Sequence, residues 1–359
     1  MMESNKLKEI CSHFEIDTKI EPYGNGHIND TYLCESAPRF ILQKINKNIF
    51  KEPEKVMENI VNITNHIGKK IEESGGDKSR GTMTVIRTKD GKSFYIDDEN
   101  NYYRIYSFVE NSVSYDFVEN PIQLYHCGKA FGRFQAMLSD FPAEQLNETI
   151  FDFHNTPKRV KQLEEAIKNN AANRASMAEK EIEFALSYSS YADKITRKIA
   201  DGTVPIRVTH NDTKLNNVLF DKDTNEGLCV IDLDTVMPGS LLYDFGDALR
   251  FGASSGNEDE TDLSKIWFDL EKYEQFAKGF LSETANCLTD DEKTLLPLSA
   301  LIMTYECGIR FLADYLNGDT YFKIHRENHN LIRCRTQLKL VADIEKKLDK
   351  MSEITAKYL

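Results

Sequence analysis

The chain has no excess of positive charge, no paired cysteine motif and no apolar run long enough to announce a membrane span. Its 45 Lys and Arg against 58 Asp and Glu leave a net charge of -13. That balance argues against a nucleic-acid binder, which normally shows a basic patch or stripe, and against docking on anionic membrane. An anionic ligand stays open, because a few local cations and backbone N–H groups hold a phosphate. The seven cysteines (Cys11, Cys34, Cys127, Cys229, Cys287, Cys307 and Cys334) are scattered, odd in number and without a CxxC pair. They argue against a disulfide framework or a zinc site and for reduced thiols. The polar start, MMESNKLKEICSHF, does not read as a signal peptide. A cytoplasmic location is expected.

What is there comes in two textures. A chain of 359 residues exceeds what one hydrophobic core usually supports, so two lobes are expected. Residues 5–14 read as a short helix. IEPYGNGHINDTYLCES and APRFILQKIN follow as three strands with a glycine-containing turn. PEKVMENIVNITNHIGKKIE (53–72) has helical spacing behind Pro53, and GGDKSRG (75–81) reads as a flexible turn. TMTVIRTKDGKSFYIDDENNYYRIYSFVE reads as a meander of strands. After Val109 helical patterns take over, at 121–139, 157–190, 268–285, 290–316 and 333–355. The boundary is placed at 110, with residues 1–110 as a nucleotide-binding N-lobe and 111–359 as a C-lobe. This α+β layout, a small β-rich lobe with one helix before a larger mainly helical lobe, is that of the protein-kinase-like fold.

The stretch 205–235 interrupts the helices. VLF (218–220) and LCVI (228–231) read as a hairpin around DKDTNEG. The first strand leaves THNDTKLNN and the second enters IDLDT, so two polar clusters meet at one end of a strand pair. Phosphoryl transfer needs such a set: a carboxylate to orient a hydroxyl and take its proton, oxygen ligands for a divalent ion, and a cation near the transferring phosphate. The spacing H-x-D-x-x-x-x-N makes Asp212 the candidate base and Asn217 a candidate metal ligand. Asp232, twenty residues after Asp212, fits the metal-binding carboxylate, and Lys214 a cation for the γ-phosphate. Asp244-Phe245-Gly246 spells the kinase DFG but lies too late for that place. Asp244 is either an acceptor of catalytic-loop N–H groups or a helix N-cap.

In the small lobe, GNGHIND offers Gly24 and Gly26 for close backbone approach to a phosphate or sugar, or else a hairpin turn. In FILQKIN, alternation puts Gln43 where kinases place lysine, with Lys44 on the other side as the alternative cation. Glu54 and Glu58 are candidate partners from the helix. IYSFVEN is the expected hinge, with backbone at Phe108, Val109 and Glu110 meeting adenine.

IEPYGNGHINDTYL, FGRFQ, RVTHNDTKLNNVLFD, VIDLDTVMPGSLLYDFGDALRFGAS and ECGIRFLADYL with GD and YF together resemble the aminoglycoside phosphotransferase and choline kinase-like superfamily. Within it they are most similar to the N-acetylhexosamine 1-kinases, from near residue 20 to near 320. The resemblance implies transfer of phosphate from ATP, with Mg²⁺, to the anomeric hydroxyl of N-acetylglucosamine and N-acetylgalactosamine, giving the α-1-phosphates. It implies Asp212 as base, Asn217 and Asp232 on metal, Asp232 close to the sugar as well, and a monomer. One observation from the sequence bears on the sugar. Glu306, Arg310 and Asp314 share one face of the apolar helix LLPLSALIMTYECGIRFLADYL. They form either an internal ladder or a setting in which Arg310 faces sugar hydroxyls, with Tyr321 beside it. His27 and Asn29 are further candidate sugar contacts. The alternatives are a kinase of homoserine, choline or an aminoglycoside, or a non-catalytic nucleotide- and sugar-binding protein.

Overall fold

Aromatic and β-branched runs in the first hundred residues form an antiparallel sheet, because such side chains pack well on a pleated face. The structure is a computed structural model and describes residues 2–24 and 28–359. Two compact units emerge. The first comprises 1–114, 140–151 and 217–238; the second comprises 115–139, 152–216 and 239–359. A single cut near residue 110 therefore misses two later segments that join the first unit, one of them the hairpin after the HNDTKLNN loop. Strand pairing draws that hairpin there: residues 112–113 pair with it and extend it to three strands.

The first unit opens with α1 (Met2–Ser12), β1 (Ile20–Pro22), β2 (Asp30–Cys34), β3 (Phe40–Lys44) and α2 (Pro53–Glu73). Then come α3 (Lys78–Gly81), β4 (Val85–Ile86), β5 (Tyr95–Ile96), β6 (Tyr102–Ser107) and β7 (Ser112–Val113). The sheet order is β1-β2-β3-β6-β4, with β5 also on β6. Leu7, Ile10, Cys11, Phe14, Cys34, Leu42 and Ile105 make its core against α1. The stretch expected as a flexible turn contains α3, which Asp77 starts by accepting the Ser79 N–H at 2.9 Å.

The chain continues through α4 (Pro121–Met137), α5 (Thr156–Asn169), α6 (Glu179–Ser187), α7 (Lys194–Ala200) and β8 (Arg207–Thr209). The hairpin β9 (Val218–Asp221) and β10 (Gly227–Val230) follows, then α8 (Leu241–Gly252), α9 (Leu270–Thr284), α10 (Asp290–Asn317) and α11 (His329–Ala356). The helix expected over 157–190 is broken, because Asn170 turns left-handed at φ 40° and caps α5. In the second unit, α8 lies so close to α10 that a Cβ on Gly246 would stand 2.4 Å from the Ser299 carbonyl oxygen. Only glycine allows that approach. It seats Asp244 and Asp247, one on each side of Gly246, in the interior. By length and composition α10 is apolar enough to cross a membrane, contrary to the reading of the sequence, but 78% of its most apolar window is buried within the protein. It is a core helix. All seven cysteines are free thiols.

Candidate active site

The loop between β8 and β9 belongs to the second unit as far as residue 216. Buried Asp244, in the first turn of α8, accepts the backbone N–H groups of His210 and Asn211, each at 2.8 Å, and the Gln135 amide at 2.7 Å. Ser240, not Asp244, is the N-cap of α8. Thr213 Oγ1 donates to the Asp244 carbonyl at 2.7 Å. The DFG carboxylate therefore clamps the backbone of the candidate catalytic loop, the first of the two readings its sequence allowed. Burial pushes the Asp244 carboxyl above the ordinary range, while His210, the Asn211 N–H and Gln135 oppose that shift.

Asp247 adds a second clamp. One oxygen accepts the Thr213 N–H at 3.2 Å and the other accepts Arg250 Nε at 3.0 Å. Arg250 reaches on to Glu258 at 2.8 Å. Burial works against the Asp247 charge, but Arg250, with His154 and Lys214, holds its pKa below the usual carboxylate range. On the loop so held, Lys214 Nζ lies 2.7 Å from Asp212 Oδ1. Removal from water disfavours the ammonium, yet Asp212 and Asp247 outweigh that and raise its pKa. Lys214 is thus a fixed cation beside the candidate base.

In the first unit the hairpin sets Asn217 and Asp232 at one end, since Val218 pairs with Val230 and the Ile231 N–H donates to the Asn217 carbonyl at 2.9 Å. Asn217 is buried, and Asp232 stands left-handed at φ 60°. Two hard oxygen donors at one hairpin end fit a divalent cation of the Mg²⁺ type.

Gln43 does not meet a glutamate of α2. Register sets it between Thr31 on β2 and Arg104 on β6. It donates to Thr31 Oγ1 at 3.1 Å and accepts Nε and Nη2 of Arg104 at 3.0 and 2.9 Å. Arg104 is 1% exposed and ion-pairs with Asp234. Although burial disfavours its charge, Asp234 raises its pKa. Asn29 donates to the other Asp234 oxygen at 2.6 Å and accepts the Asn46 N–H at 3.0 Å, so both ends of its amide are engaged. Among the described residues the buried cation of this unit is therefore Arg104. Lys44 stands one register position away, opposite Tyr103. Glu54 instead accepts the Tyr102 hydroxyl, and Glu58 accepts the Asn147 amide at 2.9 Å.

At the expected hinge, the Phe108 N–H donates to the Arg39 carbonyl at 3.0 Å, and the Val109 carbonyl accepts Ser112 Oγ at 2.6 Å. Glu110 pairs with Arg39, whose guanidinium lies 4.0 Å over the Phe108 ring. Gly24 is left-handed at φ 75°, a conformation that favours glycine. Gly26 and His27 lie outside the described residues.

In the second unit the row on α10 is not a ladder. Glu306 accepts His154 Nδ1 at 2.8 Å and Thr156 Oγ1 at 2.6 Å. Asp314 accepts the N–H groups of Thr320, Tyr321 and Phe322 at 2.9, 2.8 and 3.0 Å. Arg310, between them, makes no ion pair or hydrogen bond among the described residues. It is held by rings: Phe153 at 5.4 Å, Phe322 at 5.5 Å and Tyr321 at 5.9 Å from its guanidinium carbon. Tyr321 is 66% exposed. Arg104, Asp247 and the His154–Glu306 pair were not apparent from the sequence. A charged residue inside the aromatic strand YYRIYS was the one available signal for Arg104.

A family model described as phosphotransferase enzyme family matches residues 19–276. The chain belongs to that family. Solved structures with similar folds include a microcompartment-associated aminopropanol kinase, with TM-score 0.61 and 15% identity over 97% of this chain and 98% of that one. Another is a spectinomycin phosphotransferase in complex with ADP and spectinomycin, with TM-score 0.60 and 15% identity over 96% and 98%. A choline kinase from Cryptosporidium parvum gives TM-score 0.57 and 14% identity over 92% and 90%. At such identities the likeness is one of fold. The family's kinase-like fold, a small antiparallel-sheet lobe and a larger helical lobe, agrees with the architecture above, and membership makes the chain a small-substrate phosphotransferase.

Proposed function

We propose that the chain is an ATP-dependent kinase that phosphorylates the anomeric C1 hydroxyl of N-acetylhexosamines, N-acetylglucosamine and N-acetylgalactosamine, to the α-1-phosphate. The observation that carries the acceptor class is Arg310. Its guanidinium occupies the ring cluster that would otherwise receive a quaternary ammonium, and Arg159 stands near enough for Arg310 to depress its pKa, behind the larger effect of burial. A pair of guanidiniums repels a cationic acceptor such as choline or an aminoglycoside, and offers donors to the hydroxyl and carbonyl oxygens of a neutral sugar.

In the reaction, Asp212 takes the proton of the acceptor hydroxyl as its oxygen bonds the γ-phosphorus and the bond from that phosphorus to the ADP oxygen breaks. The products are the sugar phosphate, ADP and a proton on Asp212. Lys214, 2.7 Å from Asp212 before substrate binds, is the cation that turns to the transferred phosphoryl oxygens. Asn217 and Asp232 would hold Mg²⁺, which supplies charge neutralisation on the phosphates. Asp232 is also the first-unit residue assigned to the sugar. Gly24 and Gly26, with Gln43 and the backbone from Phe108 to Glu110, are assigned to the nucleotide, and His27, Asn29 and Tyr321 to the sugar. A monomer in the cytoplasm completes the reading.

The test offers the purified protein ATP, Mg²⁺ and a panel of N-acetylglucosamine, N-acetylgalactosamine, homoserine, choline and kanamycin. ADP release is followed and the phosphate is located by NMR. Phosphate on C1 of either N-acetylhexosamine is the expected result. Turnover of the amines alone sinks the acceptor assignment while leaving the loop chemistry in place.

A further inference from the structure

Glu306 and His154 form a buried pair that phosphoryl transfer itself does not use. Glu306 is 1% exposed, and it is ionised against the cost of burial because His154, Arg310 and Thr156 hold its pKa below the usual range. A carboxylate only accepts, so Nδ1 of His154 carries the shared proton. The other ring nitrogen, Nε2, is then an acceptor in the neutral ring and a donor in the imidazolium. That atom is buried and has no protein partner. Leaving such an atom unpaired is costly, so a buried one asks for a reason.

Its surroundings supply one. The His154 ring packs on Phe153 with centroids 4.5 Å apart and on Tyr243 with centroids 5.2 Å apart. Phe153 is the same ring over which the Arg310 guanidinium sits, and the Phe153 carbonyl accepts Arg159 Nη2 at 2.9 Å. Arg159 Nε is also buried and without a protein partner. An unengaged guanidinium and two orphaned nitrogens thus gather around one phenylalanine inside the second unit. The arginine nitrogens are donors and the histidine nitrogen either donates or accepts, a set suited to a polyhydroxylated or amide-bearing molecule.

The geometry points to His154 as a specificity-determining residue of the acceptor site, with Nε2 sharing a hydrogen bond with one hydroxyl or amide of the acceptor while Glu306 holds Nδ1 and the orientation of the ring. This rests on the kinase reading above and adds to it a residue that selects for a polar group at one position of the substrate. Tyr243 and Phe153 fix the plane of the ring. Thr156 holds the second Glu306 oxygen, so the carboxylate cannot turn away from Nδ1.

The test uses His154→Asn, whose amide N–H takes the place of Nδ1 and retains the Glu306 bond, and His154→Gln, whose longer side chain restores a polar group where Nε2 stood. The Asn variant is expected to raise the acceptor KM about tenfold with the ATP KM and Tm unchanged, and the Gln variant to recover part of that loss. A series of acceptor analogues, each lacking one hydroxyl or amide N–H, then locates the contact: for one of them wild type and Asn variant bind equally. An acceptor KM within twofold of wild type overturns the proposal, as does a loss equal across the whole series. Should the Asn variant not fold, ¹⁵N-histidine spectra of the wild type take its place. The His154 Nε2 resonance shifts when acceptor saturates the enzyme, and a resonance unmoved by every panel member overturns the assignment. Wild-type turnover on the panel separates the two failures. If another alcohol is the substrate, the analogue series is built from that alcohol and the same outcomes decide.

Discussion

Arg104 is a buried guanidinium and Arg310 a half-buried one, and the two units treat them in opposite ways. In the first unit Arg104 is surrounded by acceptors, with Asp234 on Nη1 and the Gln43 oxygen on Nε and Nη2. Asp234 in turn holds Asn29. In the second unit Arg310 faces rings, while the two carboxylates on its own helix serve other groups, Glu306 on His154 and Thr156 and Asp314 on three backbone N–H groups. The first arrangement fixes a β-sheet to a hairpin segment. The second keeps five donors of one side chain oriented and unengaged. A buried charge that is fully paired does structural service, and a half-buried one left to aromatic contacts is available to a ligand.

The comparison breaks most visibly at Arg104. Arg104→Met leaves Asp234 as an unpaired buried charge and is expected to cost about 3–5 kcal/mol, read as a large fall in Tm. The double change Arg104→Met with Asp234→Leu is expected to recover most of that stability, because it removes both charges together. If the single change is harmless, the pair is not a structural element. Arg310→Met should do the reverse. Tm is expected to move little, since no ion pair is lost, while the acceptor KM rises roughly 10- to 100-fold as donors to sugar oxygens disappear. A variant that melts far below the wild type with its acceptor KM unchanged contradicts the contrast.

The smallest effect sharpens the same contrast by pH. Asp247 is paired with Arg250, and its folded pKa lies below its unfolded value near 3.9. Its contribution to stability is therefore complete above that unfolded value and is lost as pH falls through the lower folded one. Asp247→Asn should lower Tm at neutral pH and also flatten the fall in Tm below about pH 4. Parallel melting curves for variant and wild type across that range would show that Asp247 carries no such linkage.

Some of this was legible in the residues alone. Alternation in FILQK and YYRIYS revealed strands, and the spacing from His210 to Asn217 revealed the loop. The hairpin was legible because turn-forming residues separate two apolar runs. Partners distant in sequence were not legible. Alternation put Gln43 on one face, but only the register of β3 with β6 sets it opposite Arg104. Helical spacing put Glu306, Arg310 and Asp314 in a row, which suggested mutual pairing, whereas long-range contacts divert both acids to other groups. The break after α5 was hidden too, because a single asparagine in a left-handed conformation interrupts an otherwise helical composition. The unit boundaries escaped for a related reason: a two-residue strand at 112–113 draws a hairpin 100 residues later into the first unit.

The most direct measurement is acceptor-dependent ADP release by Asp212→Asn beside the wild type. The substitution keeps the size of the side chain and an oxygen for Lys214 while removing the base. A kcat lower by about a thousandfold, with unchanged Tm and ATP KM, is the predicted result. A variant that retains kcat within a few fold of wild type would contradict the assignment of phosphoryl transfer to this loop.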